Sequence, residues 1–377
     1  MSQSHALKID LLLPYKERFT AQNSGAVSTV TYELARQLQK TDNQELTIFA
    51  TDVATPKDDV TFQGLTPRYK VWQSRNISFA NSYLDHIEKR AYQPDIIEVH
   101  GRPQIAHYIA RKRPDLAVIL YLHNDARTIR GAKTVQQRDA LSESLAGIIS
   151  ITHYVKSCFL DGLGDEANYK ARHLVNHLGV DRRLAKPTKR QKQIFLAGRM
   201  VPEKGFLEAC KGALPVLMAH QEWSICLAGG KDFTTDTLTT YEKEIQRLLS
   251  PLGERAKFLG HQPRDAVRHY QETSEICIVP SLWQEPGGLT VLEALAAGSA
   301  LITTNRGGIP EFAKDMAIIV DNGYPTDFEQ AIRTLVENPK ARKSLQQTAW
   351  NTYDFDAAKM AQRAAQFRHE LAGLRRR

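Results

Sequence analysis

At 377 residues, 42% hydrophobic and 24% charged, the chain has the composition of a globular protein, not of a disordered or fibrous one, and it is long enough for two α/β domains of roughly 150 to 200 residues each. A formal net charge of +8 and a pI near 9.2 favour a negatively charged partner without choosing among nucleic acid, anionic lipid and phosphorylated substrate. The first apolar run carries Lys8 and Asp10, and no later stretch approaches the roughly 18 to 20 uninterrupted apolar residues of a membrane span, so a soluble cytoplasmic protein is expected.

Short apolar, β-rich runs alternate with segments of helical period, which predicts βαβ units and parallel sheets. The alternation occurs twice. In the first half, strands are expected at Leu7–Leu13, Leu46–Ala50, Asp95–Val99, Leu116–Leu122 and Gly147–Ile151. Asp181–Lys192 is charged, contains Pro187 and has no apolar period, as suits an exposed linker. In the second half, strands are expected at Ile194–Ala197, Trp223–Ala228, Ala256–Leu259, Glu275–Val279, Ala300–Thr303 and Ala317–Val320. The last segment, Asp356–Leu374, has helical spacing at Met360, Ala364, Phe367 and Leu371 and ends in Arg375, Arg376 and Arg377. The expected organisation is a Rossmann-like domain over 1–180, a linker over 181–192, a second Rossmann-like domain over 193–352, and a C-terminal helix over 353–377 able to pack back on the first domain. Two doubly wound domains facing each other across a cleft would suit a reaction between two substrates.

Cys158, Cys210, Cys226 and Cys277 are scattered, with no C-x-x-C and no histidine at metal-ligand spacing, so they are expected to be reduced core residues. Asp354-Phe355-Asp356 is formally an Asp-x-Asp, but it precedes the last helix instead of following a core strand, and it is expected to be a cap. No metal site is expected.

Three loops point to phosphate and sugar chemistry. After the first strand, Asn23-Ser24-Gly25-Ala26 opens a helix with apolar positions at Val27, Val30, Leu34 and Leu38, and small residues at a helix start let backbone N–H groups approach a phosphate. Gly198-Arg199-Met200-Val201-Pro202-Glu203-Lys204-Gly205 follows the first strand of the second half, and both of its cations can reach a departing diphosphate, Arg199 through its fork and Lys204 as a point charge. The strongest signal runs from Glu285-Pro286-Gly287-Gly288 through Leu289, Thr290 and Glu293 to Gly298. There Pro286 favours an extended Glu285, the glycines leave an open loop, and Glu293 lies inside the helix that follows. Asn305-Arg306-Gly307-Gly308-Ile309-Pro310-Glu311 is a further loop after the next strand.

The run from Gly198 to Glu311 resembles the donor-binding half of retaining glycosyltransferases of family four, which have the GT-B fold. The Gly-Arg-x-x-x-Glu-Lys-Gly loop, the Glu-x7-Glu pair and the Gly-Gly-x-Pro-Glu loop occur in the family's order. The first half is similar more loosely, through Gly25, the strand ending at His100, and Leu-His-Asn at His123. The chain departs from the family pattern at Gly287, where an aromatic is common, at Ser24, where a second glycine is, and around Asn176–Asp181.

The resemblance implies a fold of two Rossmann-like doubly wound domains facing an interdomain cleft. It implies Arg199 and Lys204 on the diphosphate, Glu293 on the ribose, and Glu285 with Gly287, Gly288, Leu289 and Thr290 around the transferred sugar. Gly25 would lie close to the phosphates. His123 would serve the reacting carbon from the acceptor side, with His100, Asn124 and Asp125 as acceptor-side candidates. His123, Arg199, Lys204 and Glu285 are thus the expected catalytic residues. The implied reaction moves a hexose from a UDP- or GDP-linked donor to a carbohydrate or lipid-linked acceptor, without a metal or other cofactor, in lipopolysaccharide or polysaccharide synthesis.

The rival readings are a nucleotide-sugar epimerase or hydrolase of the same fold, a dinucleotide-dependent oxidoreductase and a basic nucleic-acid-binding protein. No strand is followed by G-x-G-x-x-G with an acidic residue at the required distance, and no nucleic-acid-binding motif accompanies the charge. Arg111-Lys112-Arg113, with Arg102, Arg127, Arg130 and Lys133, instead suggests contact with an anionic membrane surface at its cytoplasmic face.

Overall fold

The computed structural model describes residues 6–15, 17, 19, 25–39, 44–51, 59–69, 71–231 and 237–375. Asn23 and Ser24 of the first loop, and Arg376 and Arg377, lie outside the described residues. The chain divides into two compact units, residues 1–179 with 356–377, and residues 180–355.

The first unit is built on β1 (Leu7–Leu12), α1 (Ala26–Leu38), β2 (Gln44–Thr51), β3 (Phe62–Leu65), α2 (Arg75–Glu88), β4 (Ile96–His100), α3 (Pro103–Lys112), β5 (Ala117–Leu122), α4 (Val135–Ser144), β6 (Gly147–Ser150), α5 (His153–Leu160) and β7 (Arg172–Val175). Among the described residues its strands form one parallel sheet in the order β3-β2-β1-β4-β5-β6-β7. Strands β4 and β5 are buried along their whole length, as expected where helices cover both faces of a parallel sheet. Two strands, β3 and β7, lie outside the apolar runs expected to form strands. Both are edge strands of mostly exposed or half-buried residues, and neither presents an apolar run.

The second unit repeats the plan with β8 (Gln191–Ala197), α6 (Phe206–Ala219), β9 (Ser224–Ala228), α7 (Thr240–Leu249), β10 (Ala256–Phe258), α8 (Arg264–Thr273), β11 (Ser274–Val279), α9 (Leu289–Ala296), β12 (Ala300–Thr304), α10 (Ile309–Ala313), β13 (Ala317–Val320), α11 (Pro325–Glu337) and α12 (Pro339–Thr352). Its parallel sheet has the order β10-β9-β8-β11-β12-β13. Residues 181–190 are fastened to this unit. Asp181 O accepts from Arg268 Nη2 (2.7 Å), the Arg182 guanidinium lies 4.3 Å over the Trp350 ring, and Arg190 donates to Gln271 O and Ser274 O.

In both sheets the direction of winding reverses once, between β1 and β4 and between β8 and β11. Ligands of doubly wound sheets sit outside the carboxyl ends of the strands at such a reversal.

The final helix, α13 (Ala357–Arg375), belongs to the first unit. Asp356 Oδ1 accepts from Lys359 N (2.7 Å), so the Asp-x-Asp segment ends in a helix cap. The apolar stripe Met360, Ala364, Phe367 and Leu371 is buried, with Phe367 and Leu371 lying against Gly147 of β6. On the same helix Arg368 is wholly buried and grips Glu98 of β4 with two hydrogen bonds, Nε to Oε2 (3.0 Å) and Nη2 to Oε1 (2.8 Å), while Nη1 donates to Gln44 Oε1 (3.3 Å). All four cysteines are free and buried, and no helix among the described residues is long and apolar enough to cross a membrane.

Removing one member of a buried pair strands the other's charge. Arg368→Met is therefore expected to cost about 3 to 5 kcal/mol, and Glu98→Leu combined with Arg368→Met is expected to regain most of it. Hydrogen exchange of the β4 and β5 amides reads the stability of this unit directly.

Candidate functional site

In the second unit the motif loops converge at the carboxyl ends of β8 and β11. The loop after β8 closes in a short 3-10 turn, Pro202–Lys204, and Gly205 reverses the chain at φ +67°. That conformation suits glycine, and a Cβ at Gly205 would run into Pro280 O at the end of β11. The close approach lets Glu203 O accept from the backbone N–H groups of Leu282 and Trp283, each at 3.0 Å, which fixes the loop after β11 onto the loop after β8.

Across this seam Lys204 Nζ contacts Glu285 Oε1, and Ser281 Oγ donates to the same oxygen (2.7 Å). The loop after β12 braces Glu285 from behind, because Gly308 N donates to Glu285 O (2.7 Å) and Gly307 N to Gln284 Oε1 (2.7 Å). Arg199 is exposed, on the same loop as Lys204.

Gly287 is buried, and Gly288 is the left-handed residue (φ 84°) from which α9 starts, with no side chain capping that end. Leu289 and Thr290 form the first helical positions and are half-buried. Glu293, one turn on, is nearly buried, and its Oε1 accepts from Arg264 Nε (2.8 Å) at the start of α8. Two carboxylates, two cations and an uncapped helix start thus occupy one rim of one sheet. A cation pair near a helix N-terminus is able to hold a diphosphate, and carboxylates are able to accept from hydroxyls.

In the first unit β4 and β5 end side by side, and the histidines meet there. His100 Nδ1 lies 3.0 Å from His123 Nε2, and the two rings stack with Tyr121 at centroid distances of 4.8 to 5.2 Å. Glu98 lies 3.1 Å from His100 Nε2. Burial would raise the Glu98 carboxyl, but Arg368 and His100 hold it down at about 2. Burial first, and then the neighbouring His100 ring, push His123 well below the ordinary histidine value, although Glu98 pulls the other way.

Asn124 is exposed. Asp125 caps the next turn through Arg127 N (2.9 Å) and pairs with the Arg127 guanidinium. Burial raises its carboxyl, and those bonds more than offset the rise. Gly25 is the N-cap of α1, and the carboxylate of Glu17 sits beside it, accepting from Ser28 N (3.1 Å) and Ser28 Oγ (2.9 Å). An acidic side chain thus already occupies this helix start. Glu17, Glu98, Arg264 and Arg368 escaped the sequence reading. Only Glu98 left a signal there, as a carboxylate inside the apolar strand Ile96–His100.

Of the expected basic cluster, Arg113 is paired with Asp115 and Arg127 with Asp125 and Asp161. Arg102 is half-buried, whereas Arg111, Lys112, Arg130 and Lys133 are exposed.

Residues 181–352 match the family model of glycosyl transferases group 1. The second unit belongs to that family. Among relatives of this chain, spore coat protein SA of Bacillus subtilis is 26% identical over 273 residues, covering 67% of this chain and 71% of that protein. The B. subtilis protein YtcC, whose assignment as a glycosyltransferase is itself provisional, is 26% identical over 266 residues, 65% of this chain and just under two thirds (64%) of that protein. Lipopolysaccharide 1,2-N-acetylglucosaminetransferase of Salmonella typhimurium is 21% identical over 63% of this chain and 62% of its own. Among solved structures, HepE of Anabaena, in complex with UDP and glucose, superposes with a TM-score of 0.72 at 15% identity, covering 95% of this chain and 98% of HepE. Sucrose-phosphate synthase of Thermosynechococcus elongatus superposes with a TM-score of 0.73 at 16% identity, covering 97% and 100%. The chain has the α/β GT-B fold.

The buried histidines set a pH dependence. Burial lowers His173 to about 4, against the pull of Glu166, and His123 is lowered as well. The unfolded chain takes protons as pH falls through about 6.5 and the folded chain does not, so stability is full above that pH and declines below it. The melting temperature should fall between about pH 7.5 and pH 5.5, by up to about 1.4 kcal/mol of stability per pH unit for each withheld proton. His123→Asn should flatten the slope, and an unchanged slope would contradict the buried neutral ring.

Proposed function

We propose that this glycosyltransferase moves a hexose from a UDP- or GDP-linked donor to a carbohydrate or lipid-linked acceptor with retention of configuration and without a metal ion. The observation that carries the reading is the contact of Lys204 with Glu285 across the seam of the β8 and β11 loops, beside exposed Arg199 and the uncapped start of α9. In this reading Arg199 and Lys204 hold the diphosphate, Glu293 accepts from the ribose, and Glu285 with Gly287, Gly288, Leu289 and Thr290 surrounds the sugar. The bond between the anomeric carbon and the diphosphate breaks, and its electron pair stays on the phosphate oxygen. The acceptor oxygen then bonds to that carbon on the same face, and its proton passes to the departing diphosphate. Fixed cations and a helix start stabilise the growing charge by roughly 3 kcal/mol per well-placed donor. His123 of the first unit serves the acceptor, with His100 behind it.

HepE, solved with UDP and with UDP-glucose, supports a nucleotide-sugar donor, and the Salmonella transferase supports an acceptor in lipopolysaccharide synthesis. A thermal-shift screen with UDP, GDP, ADP and their sugars in EDTA should give a shift with one nucleotide, by mass action. Arg199→Ala should abolish it and lower transfer about a hundredfold or more. No shift with any nucleotide, for folded protein, would overturn the reading. Nucleotide release that ignores added acceptor would favour an epimerase or hydrolase.

A second reading concerns the surface of the first unit, which we propose rests on anionic lipid. Trp72 is 82% exposed, beside exposed Val71 and Tyr69, just ahead of α2, and α2 packs on α3 with its exposed Arg111 and Lys112. Aromatic tips flanked by cations suit a lipid interface. Trp72→Ser should weaken cosedimentation with anionic vesicles and leave donor binding unchanged, and equal sedimentation with neutral vesicles would remove this reading.

A further inference from the structure

We infer that Arg368, Glu98 and His100 form a buried positioning chain that fixes the tautomer of His123 and makes its Nδ1 a hydrogen-bond acceptor. The inference rests on the reading of His123 as an acceptor-side residue. Its consequence for turnover depends on that reading, but the tautomer itself does not.

Glu98 Oε1 can only accept, so His100 Nε2, 3.1 Å away, carries a proton. The approach is oblique, which makes it an electrostatic contact more than a full hydrogen bond. Arg368 already neutralises Glu98 through two hydrogen bonds, and all three residues are fully buried. A second proton on His100 would therefore add a charge with no counter-charge in a dry interior. His100 is neutral, and its Nδ1 is a bare lone pair. Thr31 Oγ1, 3.2 Å from that nitrogen, has its own proton directed at Val27 O (3.0 Å).

The remaining neighbour of His100 Nδ1 is His123 Nε2, at 3.0 Å. This nitrogen must donate, so the single proton of the His123 ring sits on Nε2 and Nδ1 is left unprotonated. Burial holds His123 neutral, which keeps this state at physiological pH. Tyr121, stacked on both rings, prevents them from turning; its hydroxyl accepts from Asn176 Nδ2 (3.1 Å), and Asn176 Oδ1 accepts from Arg363 Nε of α13 (3.0 Å). Residues from α1, β4, β5 and α13 thus set one proton position. His123 then receives a hydrogen bond from a sugar hydroxyl at Nδ1 and does not donate one there.

Removing the cation reverses the chain. In Arg368→Met the unpaired carboxylate draws a proton either onto His100, which becomes an imidazolium, or onto itself, from where it donates to His100 Nε2. Both outcomes put a proton on His100 Nδ1, which donates to His123 Nε2 and moves the His123 proton to Nδ1. Arg368→Lys keeps the cation and should keep the native tautomer.

The test is nitrogen NMR of the full chain labelled with 15N-histidine, with signals assigned through His100→Asn and His123→Asn. The native protein should show His123 Nδ1 unprotonated and Nε2 protonated, retained in Arg368→Lys and exchanged in Arg368→Met. If Arg368→Met does not fold, Glu98→Leu with Arg368→Met also removes the acceptor from His100 Nε2 and should give the same exchange. In a transfer assay the exchanged variants should lose at least about tenfold in kcat with donor KM unchanged. A native His123 protonated at Nδ1, or a folded variant lacking the carboxylate–cation pair with unaltered histidine signals, would overturn the inference. The NMR readout needs no turnover, so failure of the transferase reading alone leaves it intact.

Discussion

Both sheets are parallel throughout the described strands, and a parallel strand can be rejoined only by a crossover across the face of its sheet. Every strand of a sheet therefore ends at the same edge, and every loop that follows a strand begins there. Where the winding reverses, between β1 and β4 and between β8 and β11, the outgoing helices diverge and leave the strand ends uncovered. The candidate residues follow from this constraint. Arg199 and Lys204 leave β8, Glu285 leaves β11, and His100 and His123 end β4 and β5. Polar groups separated by long stretches of sequence meet because the topology returns each strand to one rim.

The two units use that rim differently. In the second unit charged groups face each other in exchangeable pairs, Lys204 with Glu285 and Arg264 with Glu293, each partly open to solvent. Such pairs are worth little in themselves, and a ligand bearing phosphates and hydroxyls can replace each partner. In the first unit the charges are sealed. Arg368 and Glu98 have no exposed surface, and burying them is tolerable only because their hydrogen bonds are made. One rim is built for exchange and the other for fixed geometry.

The sheets were legible in the sequence because a strand buried on both faces must be apolar along its length, and Ala117–Leu122 and Ile194–Ala197 show that pattern directly. Phe62–Leu65 and Arg172–Val175 were not legible, since an edge strand pairs on one side only and can stay polar. The loops after β8, β11 and β12 were legible because glycine, proline and charge at fixed spacing have few structural uses. The burial of Arg368 was not. It depends on Glu98, 270 residues away in sequence, and on the return of α13 to the first unit. Glu17 was hidden for a related reason, because a carboxylate settling on the start of α1 leaves no spacing pattern with Ser28.

The central claim is that the seam between the β8 and β11 loops receives a nucleoside diphosphate, and the most direct measurement is a crystal structure of the protein with the nucleotide that binds it. The account predicts the diphosphate within hydrogen-bond distance of Arg199 and Lys204, with Lys204 withdrawn from Glu285 and the ribose hydroxyls on Glu293 in place of Arg264. A nucleotide bound elsewhere, or one at this rim that leaves the Lys204–Glu285 and Arg264–Glu293 pairs closed, would contradict it.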